Sequence, residues 1–128
     1  MKLLLDTCTF LWIMLDAPEL SKDARGLFSD PTNEVFLSAV SAWEISVKYS
    51  LGKLPLPQAP EVFIPQNRSA DRITSLPLTE ADVVQIPGIP TLHKDPFDRM
   101  LVCQALAEGL TLLTPDPAIK AYPVATIW

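Results

Sequence analysis

The chain has 128 residues, 48% hydrophobic and 20% charged, the composition of a single globular domain large enough to bury roughly two thirds of its unfolded surface. Ten Lys and Arg stand against fifteen Asp and Glu, a net charge of −5, so binding of nucleic acid by a basic surface alone is not expected. The longest apolar runs, LLL and MLVCQALA, fall far short of the about 20 residues that span a bilayer.

In chain order, KLLLD reads as a short apolar strand closed by Asp6, and TFLWIML continues as helix or turn. Asp6 also interrupts what would otherwise resemble a signal peptide, and no small-residue cleavage site follows, so a cytoplasmic protein is expected. SKDARGLFSD reads as a helix opened by Ser21, EVFLS as a strand, and AVSAWEISVKYSLGK as a helix stopped by Gly52. Residues 54–72 hold Pro55, Pro57, Pro60 and Pro65, which predicts only a short helix there. RITSLPL is a strand and TEADVVQI a helix capped by Thr79; the PGIP break follows. HKDPFDRMLVCQALAEG is a helix with Asp95 as N-cap and Pro96 in its first turn, and Asp98 at the third position can reach back to the cap. LTLLT is a strand, PDP opens a short helix, and VATIW is the last strand.

Short, nearly all-apolar strands alternating with helices predict an α/β fold: one domain over residues 1–128, with a mostly parallel central sheet flanked by helices. The two cysteines, Cys8 and Cys103, show no CxxC spacing and read as reduced thiols. The single histidine, His93, leaves no histidine pair for acid–base RNA cleavage and no His/Cys cluster for zinc. A Cys8–His93 nucleophile pair stays open, with nothing in the sequence bringing the two together.

Ligands of an open parallel sheet bind beyond the carboxyl ends of its strands. Asp6 closes the first strand and Asp116 follows LTLLT by one proline. Asp98 reaches the same edge if the PGIP loop returns there. Glu44 falls on the apolar stripe of Val40, Val47 and Leu51, where a carboxylate is costly unless something neutralises it. Each acid has an ordinary use: Asp6 and Asp116 as helix caps, Asp98 as part of the Asp95 cap, Glu44 as a side chain edging out to solvent. Together at one edge they would repel one another, and a divalent cation relieves that repulsion. Oxygen donors without histidine or thiolate suit Mg²⁺ or Mn²⁺. Such an ion meets a scissile phosphate directly, which offsets the missing basic surface. Lys48, Lys53, Lys94 and Arg99 lie close in sequence and are candidates to hold flanking phosphates, or are simply solvated.

LLLDT, LSAVSAWEISVKYSLGKL, LPLT, KDPFDRMLVCQALAEGLTLLTPD and the closing strand, in this order along the whole chain, resemble the PIN-domain ribonucleases, above all the VapC-type toxins of toxin–antitoxin pairs. The resemblance implies an endoribonuclease that hydrolyses RNA through metal-activated water, leaving 5′-phosphate and 3′-hydroxyl ends. It implies Mg²⁺ or Mn²⁺ on Asp6, Glu44, Asp98 and Asp116, with Thr114 as a hydroxyl beside the last acid and Asp95 as a second-shell ligand or the cap. It also implies an antitoxin of the VapB kind that lays a segment over the acids, with an arginine reaching the carboxylates, and a homodimer. Trp12 and Trp43 are candidate anchors for such a partner, or core residues. Many relatives read DTH where this chain reads DTC, so Cys8 replaces a common histidine. Alternatives are a catalytically inactive RNA- or protein-binding module, and a phosphoacceptor or haloacid dehalogenase-type phosphatase built on Asp6. The last lacks its second aspartate, because Cys8 stands there.

Overall fold

The computed structural model describes all 128 residues. Five strands, β1 (Lys2–Leu5), β2 (Glu34–Ser38), β3 (Thr74–Leu76), β4 (Thr111–Leu113) and β5 (Thr126–Ile127), form one sheet in the order β3-β2-β1-β4-β5. Every pairing is parallel, so the expected mostly parallel sheet is wholly so. Around it run α1 (Thr7–Met14), α2 (Lys22–Ser29), α3 (Ala39–Ser50), α4 (Pro60–Ala70), α5 (Glu80–Val83), α6 (Pro96–Glu108) and α7 (Pro117–Lys120).

Side chains alternate across a strand, and the sheet divides its core accordingly. Leu4 of β1 and Leu112 of β4 pack on one face with Leu101, Val102 and Ala105 of α6. Leu5 and Leu113 turn to the other, against Phe10 of α1, Ile45 of α3, and Phe63 and Ile64 of α4. Each fully buried Leu or Phe contributes about 1.5–3 kcal/mol, so burial on both faces explains why the strands read as continuous apolar runs.

The proline-rich stretch departs from expectation. α4 runs 11 residues through Pro65. Pro60 sits in the first turn, where its missing N–H is no loss. Pro65 forfeits only a bond to the Glu61 carbonyl, and Glu61 is exposed to water. Buried Phe63 and Ile64 hold the helix on the sheet. α5 is shorter than expected, four residues followed by a 3-10 turn at Ile86–Gly88. Leu51, expected on the α3 apolar stripe, is the C-cap and 61% exposed. α6 ends at Gly109, whose φ of 67° is left-handed backbone that glycine takes without steric cost.

β1 lies between β2 and β4: the chain first builds outward through β2 and β3, then returns to add β4 and β5 on the other side. The connections after β1 and β4 therefore diverge, opening a crevice beyond the carboxyl ends of these two strands. No helix is long and apolar enough to cross a membrane.

Candidate functional site

Asp6 leaves β1 at that crevice and N-caps α1; its Oδ1 accepts from the Thr9 backbone N–H at 2.7 Å. Its Oδ2 accepts from the Thr114 hydroxyl at 2.5 Å, across the gap between β1 and β4. Thr114 Oγ1 in turn accepts from the Asp116 backbone N–H at 3.1 Å, and Asp116 Oδ1 caps α7 through the Ala118 N–H at 2.9 Å. One buried hydroxyl thus ties the ends of two neighbouring strands together. Burial drives the Asp6 carboxyl above its ordinary value, while the Thr114 hydrogen bond pulls the other way.

Ser38 ends β2 and caps α3, its Oγ accepting from the Val40 N–H at 2.9 Å. Two turns later Glu44 is 4% exposed, on the inward stripe. Lys48 Nζ lies 2.5 Å from Glu44 Oε2, the i,i+4 pairing that neutralises a buried carboxylate from its own helix. Glu44 Oε1 is buried and has no partner. Lys48, a candidate to hold a phosphate, is half-exposed and pairs with Glu44 in this structure. Thr7 donates to Ser41 Oγ at 3.0 Å, joining α1 to α3 beneath the site.

Asp95 N-caps α6 and accepts from the Phe97 and Asp98 N–H groups at 2.9 and 3.1 Å. The expected return bond from the Asp98 side chain to the cap is absent. Asp98 Oδ2 instead faces His93 Nε2 at 3.2 Å. His93 is held in turn by Tyr122, whose hydroxyl lies 2.8 Å from Nδ1 and accepts from the His93 backbone N–H at 3.3 Å. That hydroxyl has one proton to give, and giving it to Nδ1 leaves Nε2–H to donate to Asp98. With both ring nitrogens occupied, the Cys8–His93 pair is not formed. Burial first, then the charges of Asp6, Glu44 and Asp98, push the Cys8 thiol up to about 11, which disfavours the thiolate a nucleophile needs.

The four acids feel one another. Asp98 is pushed up to about 6 by burial foremost, with Asp95, Glu44 and Asp116 adding to the rise and the His93 bond opposing it. The Asp116 charge also reaches Asp6. The first turn of α6 thus lies within electrostatic reach of Glu44 and Asp116. Glu44, Asp98 and Asp116 each keep one carboxylate oxygen free of any protein hydrogen bond. An all-oxygen donor set with a buried, unpartnered glutamate oxygen fits a hard divalent cation. In this structure no three Asp, Glu, His or Cys side chains stand close enough to share one ion, so closing on a metal requires the carboxylates to turn inward. Three surface hollows of about 500 to 550 Å³ each lie elsewhere and none is lined by these acids.

Lys94 is exposed and forms no ion pair. Arg99 is half-buried, with its Nε unpartnered. Lys53, one residue past Gly52, is exposed at the far end of α3. Tyr122 is the residue that sequence reasoning passes over, and His93 enters it only as a partner for Cys8, not for Asp98. The adjacency of His93 to DPFD was its one visible signal, whereas Tyr122 is 29 residues away and silent.

The PIN domain family matches residues 3–125, nearly the whole chain. This chain belongs to the PIN domain family. A 52-residue segment is 44% identical to Ribonuclease VapC16 of Mycobacterium tuberculosis, spanning 38% of this chain and 37% of that protein. Among solved structures, VapBC2 of Rickettsia felis bound to a promoter DNA fragment superposes with a TM-score of 0.74 at 17% identity, covering 99% of this chain and 98% of that one. DNA-bound VapBC of Salmonella typhimurium gives a TM-score of 0.68 at 20% identity over 99% and 97% of the two chains. VapBC-1 of nontypeable Haemophilus influenzae gives 0.63 at 18% over the same shares. At such identities these likenesses speak to the fold, and the PIN fold is the one described above.

Proposed function

We propose that this PIN domain is a VapC-type endoribonuclease that uses Mg²⁺ or Mn²⁺ to hydrolyse RNA phosphodiester bonds. The observation that supports the reading is Glu44 Oε1, buried and unpartnered on a carboxylate whose charge reaches Asp98, with Asp6 and Asp116 following the adjacent strands β1 and β4. The segment of 44% identity to a ribonuclease supports the substrate class.

In this reading the four carboxylates hold the ion, and a bound Mg²⁺ or Mn²⁺ supplies an activated water and neutralises charge growing on the phosphate. Thr114 fixes the rotamer of Asp6 by its hydroxyl bond, and the Tyr122–His93 pair does the same for Asp98. Lys94 and Arg99, which lack carboxylate partners, supply positive charge to flanking phosphates. Lys48 serves the site by pairing with the buried Glu44 carboxylate.

The solved relatives are VapBC complexes, which supports a protein antitoxin as partner for this chain too. An arginine of such an antitoxin would find unshared carboxylate oxygens on Asp98 and Asp116. We further propose a homodimer and a cytoplasmic setting, the latter in keeping with two free thiols.

The test is to expose total cellular RNA to the purified, antitoxin-free chain with Mg²⁺, Mn²⁺ or EDTA, beside an Asp6→Asn protein, and to map new 5′-phosphate ends by sequencing. Discrete ends that need metal and vanish with Asp6→Asn are expected. No new ends from folded protein in any lane would overturn the reading in favour of an inactive binding module.

A further inference from the structure

Trp43 is 56% exposed on α3, although an indole is among the most costly side chains to leave in water. Its ring is braced edge-to-face against Phe97, with centroids 4.8 Å apart and planes at 76°. Trp12, by contrast, leans on Trp128 at the rim of the core. The exposed pair has a telling address. Trp43 immediately precedes Glu44, and Phe97 immediately precedes Asp98, so the aromatics bridge α3 and α6 one residue from two of the four acids. A helical step of about 100° turns Trp43 outward while Glu44 turns in.

The surroundings narrow what this ring receives. The exposed residues along the same side of α3 are Ala39, Ser46 and Ser50, all small. A docking helix or a second copy of the chain wants a broad apolar patch, whereas beside Trp43 its own helix exposes only part of Val47 among small residues, with Leu51 two turns on. A planar base needs only one ring face, and the indole, in edge-to-face contact with Phe97, is still 56% exposed. Stacking also fits the charge: at −5 the chain has little electrostatic grip on a polyanion, and stacking on an aromatic needs none. The exposed, unpaired Lys94, three residues before Phe97, stands ready for an adjoining phosphate.

We infer that Trp43, held by Phe97, is a stacking platform for one unpaired base of single-stranded RNA beside the acids. The inference rests on the ribonuclease reading and narrows its substrate to RNA with an unstacked nucleotide near the scissile bond. Base–aromatic stacking is lost with an about 5- to 150-fold weakening per base.

The experiment compares wild-type, Trp43→Ala and Trp43→Phe proteins in single-turnover cleavage of a mapped RNA. A set of RNAs carrying one abasic nucleotide at each position near the cut runs alongside. Trp43→Ala is expected to raise the half-saturating protein concentration within that range while the maximal rate stays within about threefold, and Trp43→Phe to recover most of the loss. One abasic position should weaken wild type by a similar factor and leave Trp43→Ala unaffected. Equal half-saturation for wild type and a normally melting Trp43→Ala protein would overturn the platform while leaving the nuclease standing. So would a Trp43→Ala protein that cuts normally but loses self-association in light scattering, which would make this face a protein interface. A wild type that cuts no RNA at all would bring down both readings.

Discussion

Replacing Thr114 by Val removes one hydroxyl and asks whether the β1–β4 tie is worth what its geometry implies. Asp6 is 4% exposed and accepts from that hydroxyl at 2.5 Å, and the same oxygen accepts from the Asp116 N–H. A hydrogen bond to a charged group contributes about 1.5–3 kcal/mol, and the Asp116 N–H can turn to water, so the loss should be about 2–3 kcal/mol near pH 7.5. The pH dependence has a definite sign. Burial holds the folded Asp6 pKa above its ordinary 3.8, and the Thr114 bond restrains that rise; Val lets it climb further. A raised carboxyl pKa destabilises the fold above the unfolded value, so the deficit of Thr114→Val should be full at pH 8. It should shrink as pH falls through the folded pKa and be nearly gone below 3.8. Urea unfolding of metal-free protein in EDTA at steps from pH 8 to 4 measures this, with Thr114→Ser as the variant that keeps the hydroxyl. A deficit under 0.5 kcal/mol (about the scatter of neutral surface changes), one equal at pH 8 and 4, or one shared by Thr114→Ser would refute the reasoning.

Asp98, pushed up to about 6, predicts that the metal-free protein loses stability as pH rises from 4 to beyond 6. After discounting for partial exposure the change is about 1–2 kcal/mol, it is read as a falling Tm, and it disappears in Asp98→Asn. Gln104→Ala should cost about 2–4 kcal/mol in urea unfolding, because Gln104 bonds Ser38, the Pro77 carbonyl and Asp82, whose Oδ1 already lacks a partner. Lys48→Met should lower the metal-free Tm by leaving Glu44 buried and unpaired, a loss of about 1–2 kcal/mol. It should also enlarge the Tm rise on adding Mg²⁺, since the ion then has no lysine to displace; an equal or smaller rise contradicts a Glu44 role in metal binding.

Much of this architecture was legible because it is written in local rules. Strand ends, the Ser21, Thr79 and Asp95 caps and the Gly52 stop depend on residues within a turn of one another. Glu44 stood out for the same reason, a charge on a helical stripe. The illegible parts are contacts across long stretches of chain. His93 meets Tyr122 over 29 residues, and Ser38 meets Gln104 over 66. The pairing of Trp43 with Phe97 appears only once α3 and α6 are packed. The Lys48–Glu44 pairing is, by contrast, a local i,i+4 relation on one helix. In α4 the proline count misled because what matters is which carbonyl each proline leaves unpaired, and Glu61 faces water.

The ordinary and the functional uses of these acids are compatible because a carboxylate has two oxygens and a cap needs one. Asp116 spends Oδ1 on α7, leaving Oδ2. Asp98 spends one on His93, and Glu44 one on Lys48. A parallel sheet feeds successive chain segments into helices at the same edge, so capping aspartates collect there for reasons of local stability alone. Helix N-termini then favour their ionised forms, which eases part of the repulsion that crowding creates. What remains is carried in the metal-free protein by three donors: the Thr114 hydroxyl on Asp6, the His93 ring on Asp98 and the Lys48 ammonium on Glu44. These donors differ in what a cation would ask of them. Thr114 and His93 each occupy one oxygen of an acid whose remaining lone pairs stay available, and both stiffen it. Lys48 brings a full positive charge to the carboxylate that a divalent ion would enter, so electrostatics sets it against the ion. On the proposed reading, these donors hold the acids in the metal-free protein, and the Glu44–Lys48 pair is the contact that would compete with an entering ion.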